Sequence, residues 1–378
     1  MKVAYVTPYS SSDVHAWSGS VYFIREALAK AGCEIVPVDS LHDPGRLLAK
    51  VKEKAYRHLL GKSYLADRRP ALLDAYAKQV SERCEAIKPD VIFSPGTIPI
   101  ARLKTDIPTV FWTDATFAGI TDYYALFSNL SSEARRDGNH VDEQALKNSS
   151  LAIYTSDWAA KTAIDHYGAD PAKVKVVPYG ANVTSRRTDH DVAGFLERRK
   201  GEVIRLLFVG VDWERKGGPI ALEAAKELNA RGLKTELHIV GCDVPGEVPD
   251  FVIRHGFVSK KTPEGSALLD RLFAESHFLI VPSRAECFGL VFAEASSFGL
   301  PSLAAITGGV PSVVSEKNGK LFPLEARGDQ YADWIAGMMA DRQAYERLSF
   351  DSLAEFDRRL NWEVAGKTVV DLMRQLTS

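Results

Sequence analysis

The stretch ECFGLVFAEASSFGLP (286–301) carries two carboxylates eight positions apart, Glu286 and Glu294, around a Phe-Gly pair. The apolar run before it, FLIVPS (278–283), is typical of a buried strand, so the sequence predicts a strand, a turn and then a helix. A carboxylate is a good hydrogen-bond acceptor for two vicinal hydroxyls, which points to a polyhydroxylated ligand. The alternative is that Glu286 caps the helix and that Glu294 is solvated.

The start of this predicted helix offers a site for an anion. Its first-turn N–H groups have no partner inside the helix, and the helix dipole favours negative charge there, a phosphate above all. Gly289 lets a ligand approach the backbone closely. At about 1.5 Å per residue Glu294 lies some 7–8 Å further along, comparable to the distance from a diphosphate to a ribose. The residues expected to contact a diphosphate are Phe288, Gly289 and Leu290, with Ser283 nearby.

A second turn, FVGVDWERKGG (208–218), also follows a predicted strand. Lys216 precedes a Gly-Gly pair and a helix, so its ammonium can meet a phosphate at the carboxyl end of the strand. Arg215 is adjacent and is expected to point elsewhere unless the turn bends.

Two more strand ends carry candidate residues. Gly19 lies between the first strand and a helix, where it can leave room for a diphosphate, and the alternative is a flexible loop with a helix cap. Asp114 follows the strand TVFWT (109–113) and can either bond a sugar hydroxyl or cap the next helix.

The elements that must position these residues alternate between short apolar runs and segments of helical period. This alternation occurs in both halves of the chain and predicts two doubly wound α/β domains with mostly parallel sheets. A polar, strand-free stretch at 185–201 is the predicted linker. The ten predicted strands are VAYVTP (3–8), EIVPV (34–38), VIFSP (91–95), TVFWT (109–113), LAIYT (151–155), VKVVP (174–178), IRLLFVG (204–210), TELHIVG (235–241), HFLIVPS (277–283) and PSLAA (301–305).

The segment 46–69 combines eight lysines and arginines with apolar residues at roughly helical spacing. Two structures fit this pattern. One is a solvated helix whose apolar side packs on its own domain, and the other is a helix in peripheral contact with an anionic membrane.

Composition restricts the class of protein. The 378 residues carry a formal net charge of -2, which argues against a nucleic-acid partner. Four scattered cysteines form no CxxC pair and favour a reduced cytoplasmic compartment. Neither a signal peptide nor an apolar run of membrane-spanning length is visible. We therefore expect a cytoplasmic protein, with peripheral attachment at the inner membrane surface still possible.

The run PSRAECFGLVFAEASSFGLPSLAAITGGVPSVV (282–314) resembles the glutamate-x7-glutamate region of family 4 of the retaining glycosyltransferases, which have the GT-B fold. Further similar segments follow the family's order along most of the chain. They are the Gly19 loop, 156–183, FVGVDWERKGG, GFVSKK (256–261) and NWEVAGKTVVDLM (361–373).

The resemblance implies two Rossmann-like domains facing across a deep cleft. Residues 1–184 would bind the acceptor, 202–356 would bind the nucleotide-sugar donor, and a last helix, about 357–378, would cross back onto the first domain. It also implies that Glu286 holds the donor sugar, Glu294 the ribose, and 288–290 the phosphates, while Lys216 stabilises the leaving diphosphate and Gly19 leaves room for it. Asp114 takes the place of a family histidine near the sugar.

One departure concerns the second phosphate cation. The family has Gly-Arg where this chain has Gly210-Val211, so Arg215 or Arg284 is the candidate substitute. Another is Pro311-Ser312, where the family usually has Pro-Glu.

The expected activity is metal-independent transfer of a hexose from a UDP- or GDP-sugar, with UDP favoured, to a hydroxyl of a glycan, lipid or small molecule, with the anomeric configuration retained. No metal site is expected, since the DxD at 189–191 lies in the predicted linker. The alternatives are a sugar-nucleotide epimerase or a phosphorylase on the same fold, and a non-catalytic nucleotide-sugar-binding scaffold.

Overall fold

The computed structural model describes residues 1–14, 16–183 and 185–377. It divides into two compact units, the first containing residues 1–179 and those from 362 onward, the second containing residues 180–361. Thr184, the last residue of the predicted first domain, lies outside the described residues. Each unit is built on one sheet of six parallel strands, as the alternating pattern predicts.

The first sheet has the strand order β2-β1-β3-β4-β5-β6. Three of its strands, β3 to β5, are buried at every position, because helices cover both faces of a parallel sheet. The strands are β1 (Lys2–Val6), β2 (Glu34–Val38), β3 (Val91–Ser94), β4 (Thr109–Thr113), β5 (Leu151–Tyr154) and β6 (Val174–Val176).

Six helices of the first unit lie between these strands or follow them. They are α1 (Ser20–Lys30), α2 (Arg46–Leu60), α3 (Pro70–Ile87), α4 (Phe117–Ile120), α5 (Ser132–Asn148) and α6 (Asp157–Tyr167). Short 3₁₀ turns occupy Ala16–Gly19, Ala66–Arg68, Ile98–Ile100 and Ala125–Phe127.

The second sheet has the order β12-β11-β10-β7-β8-β9. The strands are β7 (Ile204–Val209), β8 (Thr235–Val240), β9 (Val252–Gly256), β10 (Phe278–Val281), β11 (Ser302–Ala305) and β12 (Gly319–Phe322). Its helices are α7 (Asp189–Arg198), α8 (Gly218–Ala230), α9 (Pro263–Glu275), α10 (Leu290–Ser296), α11 (Gly328–Ala340) and α12 (Arg342–Arg359), and a 3₁₀ turn lies at Val310–Ser312.

Strand order fixes where each sheet can bind a ligand. In the second sheet the chain runs outward from β7 to β8 and β9, then returns to place β10 on the other side of β7. In the first sheet β1 and β3 are related in the same way. Such a switch point leaves a crevice at the carboxyl ends of two adjacent strands, where ligands of open α/β sheets bind.

The predicted linker is the main departure from the expected domain organisation. Within 185–201 the structure has the helix α7, which belongs to the second unit. Thr188 and Asp191 form a capping box at its start, so one carboxylate of the DxD sequence caps a helix. Only Val192 and Leu196 are buried along this helix. The apolar run that contains them, 192–196, is short and interrupted by Gly194, which weakens the helical pattern.

The last helix, α13 (Trp362–Arg374), packs on α1 in the first unit. The ring of Trp362 stacks on Phe23 with centroids 6.0 Å apart. A Cβ at position 366 would lie 2.6 Å from the carbonyl oxygen of Ala27, so Gly366 permits the close approach of the two helices. The return starts at Trp362, five residues later than the expected position near 357.

A buried arginine joins several segments of the second unit. The Arg199 side chain is 1% exposed and donates hydrogen bonds to four main-chain carbonyl oxygens. Two of these oxygens belong to the last turn of α9 and two to the segment after α10. The four acceptors, at 2.9–3.2 Å, are Phe273, Ala274, Phe298 and Gly299.

His277 lies beside this arginine and is held as a neutral ring. Its Nδ1 accepts the backbone N–H of Arg205 at 3.0 Å, and its Nε2 donates to the carbonyl oxygen of Arg199 at 2.8 Å. A proton on Nδ1 would break the first of these bonds. Burial lowers the pKa of His277 to about 4.

This depressed pKa predicts acid sensitivity of the second unit. Between pH 6.5 and 4 the unfolded chain protonates His277 while the folded chain does not, so the free energy of unfolding falls as pH falls. The loss is on the order of 3 kcal/mol at pH 4. Urea unfolding at pH 7, 5.5 and 4 measures it. His277→Gln should remove this part of the pH dependence, whereas His190→Gln, at an exposed position of α7, should keep it.

Candidate functional site

The candidate site lies at the carboxyl ends of β7 and β10, the adjacent strands of the second switch point. Lys216, in the turn after β7, forms an ion pair through Nζ with Oε2 of Glu286, in the turn after β10. Both side chains are only about one-tenth exposed, at 12% and 11%. A Cβ at Gly210 would lie 2.7 Å from Cγ of Lys216, so the glycine leaves the space that the lysine side chain occupies.

Arg215 also contributes to this cluster, because the turn bends. Its Nη1 donates to the carbonyl oxygen of Ala285 at 3.0 Å and lies 4.0 Å from Oε2 of Glu286. The sequence predicts that Arg215 points elsewhere only if the turn is unbent. The turn is bent, and Arg215 lies beside Glu286. Arg284, the other candidate for the second phosphate cation, is exposed and donates to the carbonyl oxygen of Leu324. Of the two, Arg215 is the one beside Glu286.

Glu294 is buried in α10, with 6% of the residue exposed. Its Oε1 forms an ion pair with Nζ of Lys260, which lies in the loop between β9 and α9. The alternative of a solvated Glu294 is wrong. A buried carboxylate with a half-exposed lysine as its partner can exchange that partner for ligand hydroxyls.

The start of α10 is set by Gly289. The helix begins at Leu290, and the N-cap is Gly289 in a left-handed conformation (φ 88). A Cβ there would lie 2.6 Å from the ring of Phe292 and 3.3 Å from Cγ of Glu286. The backbone after Glu286 can therefore make this turn only with glycine.

Ser283 completes the group of predicted residues in the second unit. It follows β10 directly and is fully buried, and its Oγ has no hydrogen-bond partner among the described residues. Six other buried hydroxyls of the described residues also lack a partner, so the position of Ser283 at the end of β10 is what makes it a candidate. A ligand that reaches the end of β10 can supply the missing hydrogen bond.

The other two predicted residues lie in the first unit, each after a strand. Gly19 is the N-cap of α1 and has a left-handed conformation (φ 90). Asp114 is half-buried directly after β4. The residue that caps α4 is Thr116, whose Oγ1 accepts the N–H of Gly119 at 3.1 Å. The alternative that Asp114 caps this helix is therefore wrong.

A buried carboxylate fixes the segment that follows Asp114. Asp142, in α5, accepts the N–H of Phe117 at 2.5 Å and the hydroxyl of Thr97 at 2.8 Å. Burial raises the pKa of Asp142, and these two hydrogen bonds lower it in part. A Cβ at position 138 would overlap the Phe117 ring at 2.1 Å, so Gly138 makes room for that ring.

The described residues contain no cluster of three or more His, Cys, Asp or Glu side chains placed to hold a metal ion. Nor does that part of the chain contain a helix long and apolar enough to cross a membrane.

Comparison with known proteins agrees with this architecture. The family model "Glycosyltransferase Family 4" matches residues 19–185, and "Glycosyl transferases group 1" matches 204–341. Sucrose-phosphate synthase from Thermosynechococcus elongatus superposes with a TM-score of 0.67 at 18% identity, covering 99% of this chain and 98% of that one. HepE from Anabaena, in complex with UDP-glucose, superposes with a TM-score of 0.63 at 16% identity, and the match covers 99% of this chain and 100% of that one. Two Rossmann-like units of this kind define the GT-B fold.

The two family models together span most of the chain, one in each unit. The chain belongs to the family 4-like glycosyltransferases.

Among curated relatives, the D-inositol 3-phosphate glycosyltransferase of Corynebacterium efficiens is 28% identical over 291 residues. The match covers 72% of this chain and 66% of that protein. In two further relatives of the same name, from Rhodococcus opacus and Rhodococcus erythropolis, the matched region is about half of the protein's length.

Two side chains that hold predicted residues or their segments in place have no clear signal in the sequence. Lys260 lies 34 residues from Glu294, and nothing in the local pattern of either residue indicates a pair. Asp142 lies within a polar helix, and its burial depends on the packing of α4 and α5. The closest approach to a sequence signal for Lys260 is its position soon after Gly256, the residue that ends β9.

Proposed function

We propose that this protein is a retaining glycosyltransferase. It moves a hexose from a nucleotide-diphosphate sugar to a hydroxyl of a glycan, lipid or small-molecule acceptor. The observation that carries the proposal is the cluster at the second switch point, where Lys216 and Arg215 meet Glu286 at the ends of adjacent strands. Two cations and a carboxylate at such a crevice suit a sugar diphosphate.

Each group of the cluster has a role in breaking the anomeric bond. The bond between the anomeric carbon and the diphosphate oxygen breaks with its electron pair on the diphosphate, which leaves an oxocarbenium-like sugar. Lys216 and Arg215 stabilise the new negative charge, and charge stabilisation of this kind is usually the largest contribution to the rate. Glu286 accepts a hydrogen bond from a hydroxyl of the hexose and so orients the sugar ring. Its carboxylate also lies beside both cations.

Glu294 is assigned to the ribose of the donor. Its carboxylate accepts hydrogen bonds from the two ribose hydroxyls. These bonds replace its ion pair with Lys260 when the nucleotide binds. Ser283 and the backbone around Gly289 face the diphosphate. The roles of Gly19 and Asp114, which lie in the first unit, remain predictions from the sequence.

Retention follows from attack on the face that the diphosphate leaves. The acceptor oxygen bonds to the anomeric carbon, and its proton passes to the departing diphosphate oxygen. A double displacement would need a second carboxyl about 5 Å from the first across the breaking bond. Glu294 is assigned to the ribose and therefore does not serve as that second carboxyl.

We also propose that no metal takes part, because two side-chain cations supply the positive charge that a metal would otherwise bring. UDP is the favoured nucleotide, and the UDP-glucose complex of HepE supports it by analogy. The inositol 3-phosphate glycosyltransferases among the relatives support a small polyol as one kind of acceptor.

The test is turnover of a panel of UDP- and GDP-hexoses without added metal and with EDTA. Release of free nucleotide, with the first-formed sugar anomer matching the donor by NMR, is the expected result. An inverted anomer would contradict retention. Formation of a new nucleotide sugar without free nucleotide would indicate an epimerase. Phosphate-dependent cleavage of a glycan would indicate a phosphorylase. Binding of the donor without any turnover would indicate a scaffold.

A further inference from the structure

Helix α2 exposes large apolar side chains to solvent. Ala55 shares their side of the helix, and at about 100° per residue the group spans an arc of roughly 120°. The alternative in which the apolar side packs on its own domain is therefore wrong. The exposed side chains in this arc are Leu47 (81%), Leu48 (80%), Val51 (65%) and Leu59 (80%).

A basic strip runs beside this apolar arc. Four exposed cations occupy the adjacent side of α2, and the single acidic residue of the helix, Glu53, is already paired with one of them, Arg57, at 3.2 Å. The basic strip therefore keeps an excess of positive charge. Its members are Arg46, Lys50, Lys54 and Arg57.

The opposite side of α2 is fixed to the first unit, mainly by polar contacts. Lys52 forms an ion pair with Glu133 of α5 at 2.6 Å, and the Tyr56 hydroxyl donates to the same carboxylate at 2.7 Å. The Tyr56 ring stacks on Tyr64 with centroids 5.2 Å apart. Ala49 is the one buried residue of this helix. Folding of the unit therefore does not use the apolar arc, and the anchors hold that arc outward.

We propose that α2 docks on the surface of an anionic phospholipid bilayer, with the apolar arc in the headgroup region and the basic strip on the lipid phosphates. Neighbouring apolar and cationic strips on one helix match the boundary between acyl chains and anionic headgroups. An ordinary protein partner would not require the excess of cations. The inference is independent of the proposed function, since it concerns binding alone.

Flotation of the full chain with vesicles tests this docking without any nucleotide sugar. We expect binding to phosphatidylcholine vesicles that contain phosphatidylglycerol, little binding to pure phosphatidylcholine, and weakening by salt. Leu47→Ser/Leu48→Ser should weaken binding about tenfold or more, because two exposed leucines no longer enter the lipid. Lys50→Glu/Lys54→Glu should weaken it by at least about tenfold through the lost attraction.

Two control variants carry the same changes on the second unit. Lys226→Glu/Lys234→Glu reverses two exposed charges there, and Phe257→Ser removes an apolar side chain that is 78% exposed. Both should bind vesicles like the wild type. Equal binding by the α2 variants, or no binding to anionic vesicles, would overturn the proposal. A dimer in sedimentation equilibrium that Leu47→Ser/Leu48→Ser dissociates would instead assign this surface to a second copy of the chain.

Discussion

Replacing Lys216 with methionine is expected to lower kcat for hexose transfer by about 10²–10³-fold. Methionine keeps much of the packing beside Gly210 but removes the ammonium that would face the leaving diphosphate. The loss should fall mainly on kcat, because the charge on the diphosphate grows as the anomeric bond breaks. Steady-state kinetics with the preferred donor, at saturating concentration, measures this effect.

Arg284→Met provides the matched control. This arginine is also in a turn at the end of a strand of the second sheet, but its guanidinium bonds to Leu324 and is exposed. We expect its kcat to stay within roughly threefold of the wild type, the scale of an ordinary surface change. A Lys216→Met enzyme as active as the Arg284→Met enzyme would remove Lys216 from the mechanism.

Replacing Arg199 with leucine is expected to destabilise the second unit by about 3–5 kcal/mol. Four buried carbonyl oxygens lose their donor, and leucine supplies none. The same guanidinium is the positive charge beside the C-terminal ends of α9 and α10, where the helix dipoles favour a cation, and it would also be lost. The midpoint of thermal unfolding should fall on the order of 10 °C.

Arg198→Leu is the control for this change, because Arg198 precedes Arg199 directly, is the last residue of α7 and is exposed. Its guanidinium lies 5.8 Å from the Phe195 ring, and its loss should change the free energy of unfolding by about 0.5 kcal/mol or less. Calorimetry of both variants, with urea unfolding as a second measurement, decides the matter. Equal stability of the two variants would show that the Arg199 hydrogen bonds contribute nothing net.

Most of the fold could be predicted because parallel strands buried on both faces form continuous apolar runs. All ten predicted strands correspond to strands of the two sheets. The two that were not predicted, β9 and β12, are edge strands with polar or half-exposed positions. Their pairing partners, not their own residues, make them strands.

The site was predictable one side chain at a time, but its pairings were not. Glycines and charges at strand ends identify Lys216 and Glu286 as candidates, and the spacing along the following helix identifies Glu294. Lys216 and Glu286 lie 70 residues apart, however, and meet because β7 and β10 are neighbours in the sheet. The bend that brings in Arg215 depends on Asp212, whose carboxylate accepts the N–H of Arg215 at 3.0 Å.

Helix α2 shows the same limit in another form. The spacing of its apolar residues predicts an amphipathic helix, but spacing cannot tell which side faces the domain. That choice depends on Glu133 and Tyr64, which lie elsewhere in the chain and hold the polar side inward.

Calorimetric titration of UDP into the wild type and Glu294→Gln, with EDTA present, tests the central claim most directly. Glutamine has the same shape but lacks the charge that would bind the ribose hydroxyls, so we expect its dissociation constant for UDP to rise at least about tenfold. Glu316→Gln, at an exposed position of the same unit, should bind UDP like the wild type. Weaker affinity of Glu294→Gln alone would support a nucleotide-diphosphate site in the second unit. Equal affinity of the three proteins, or no binding of either UDP or GDP, would contradict it.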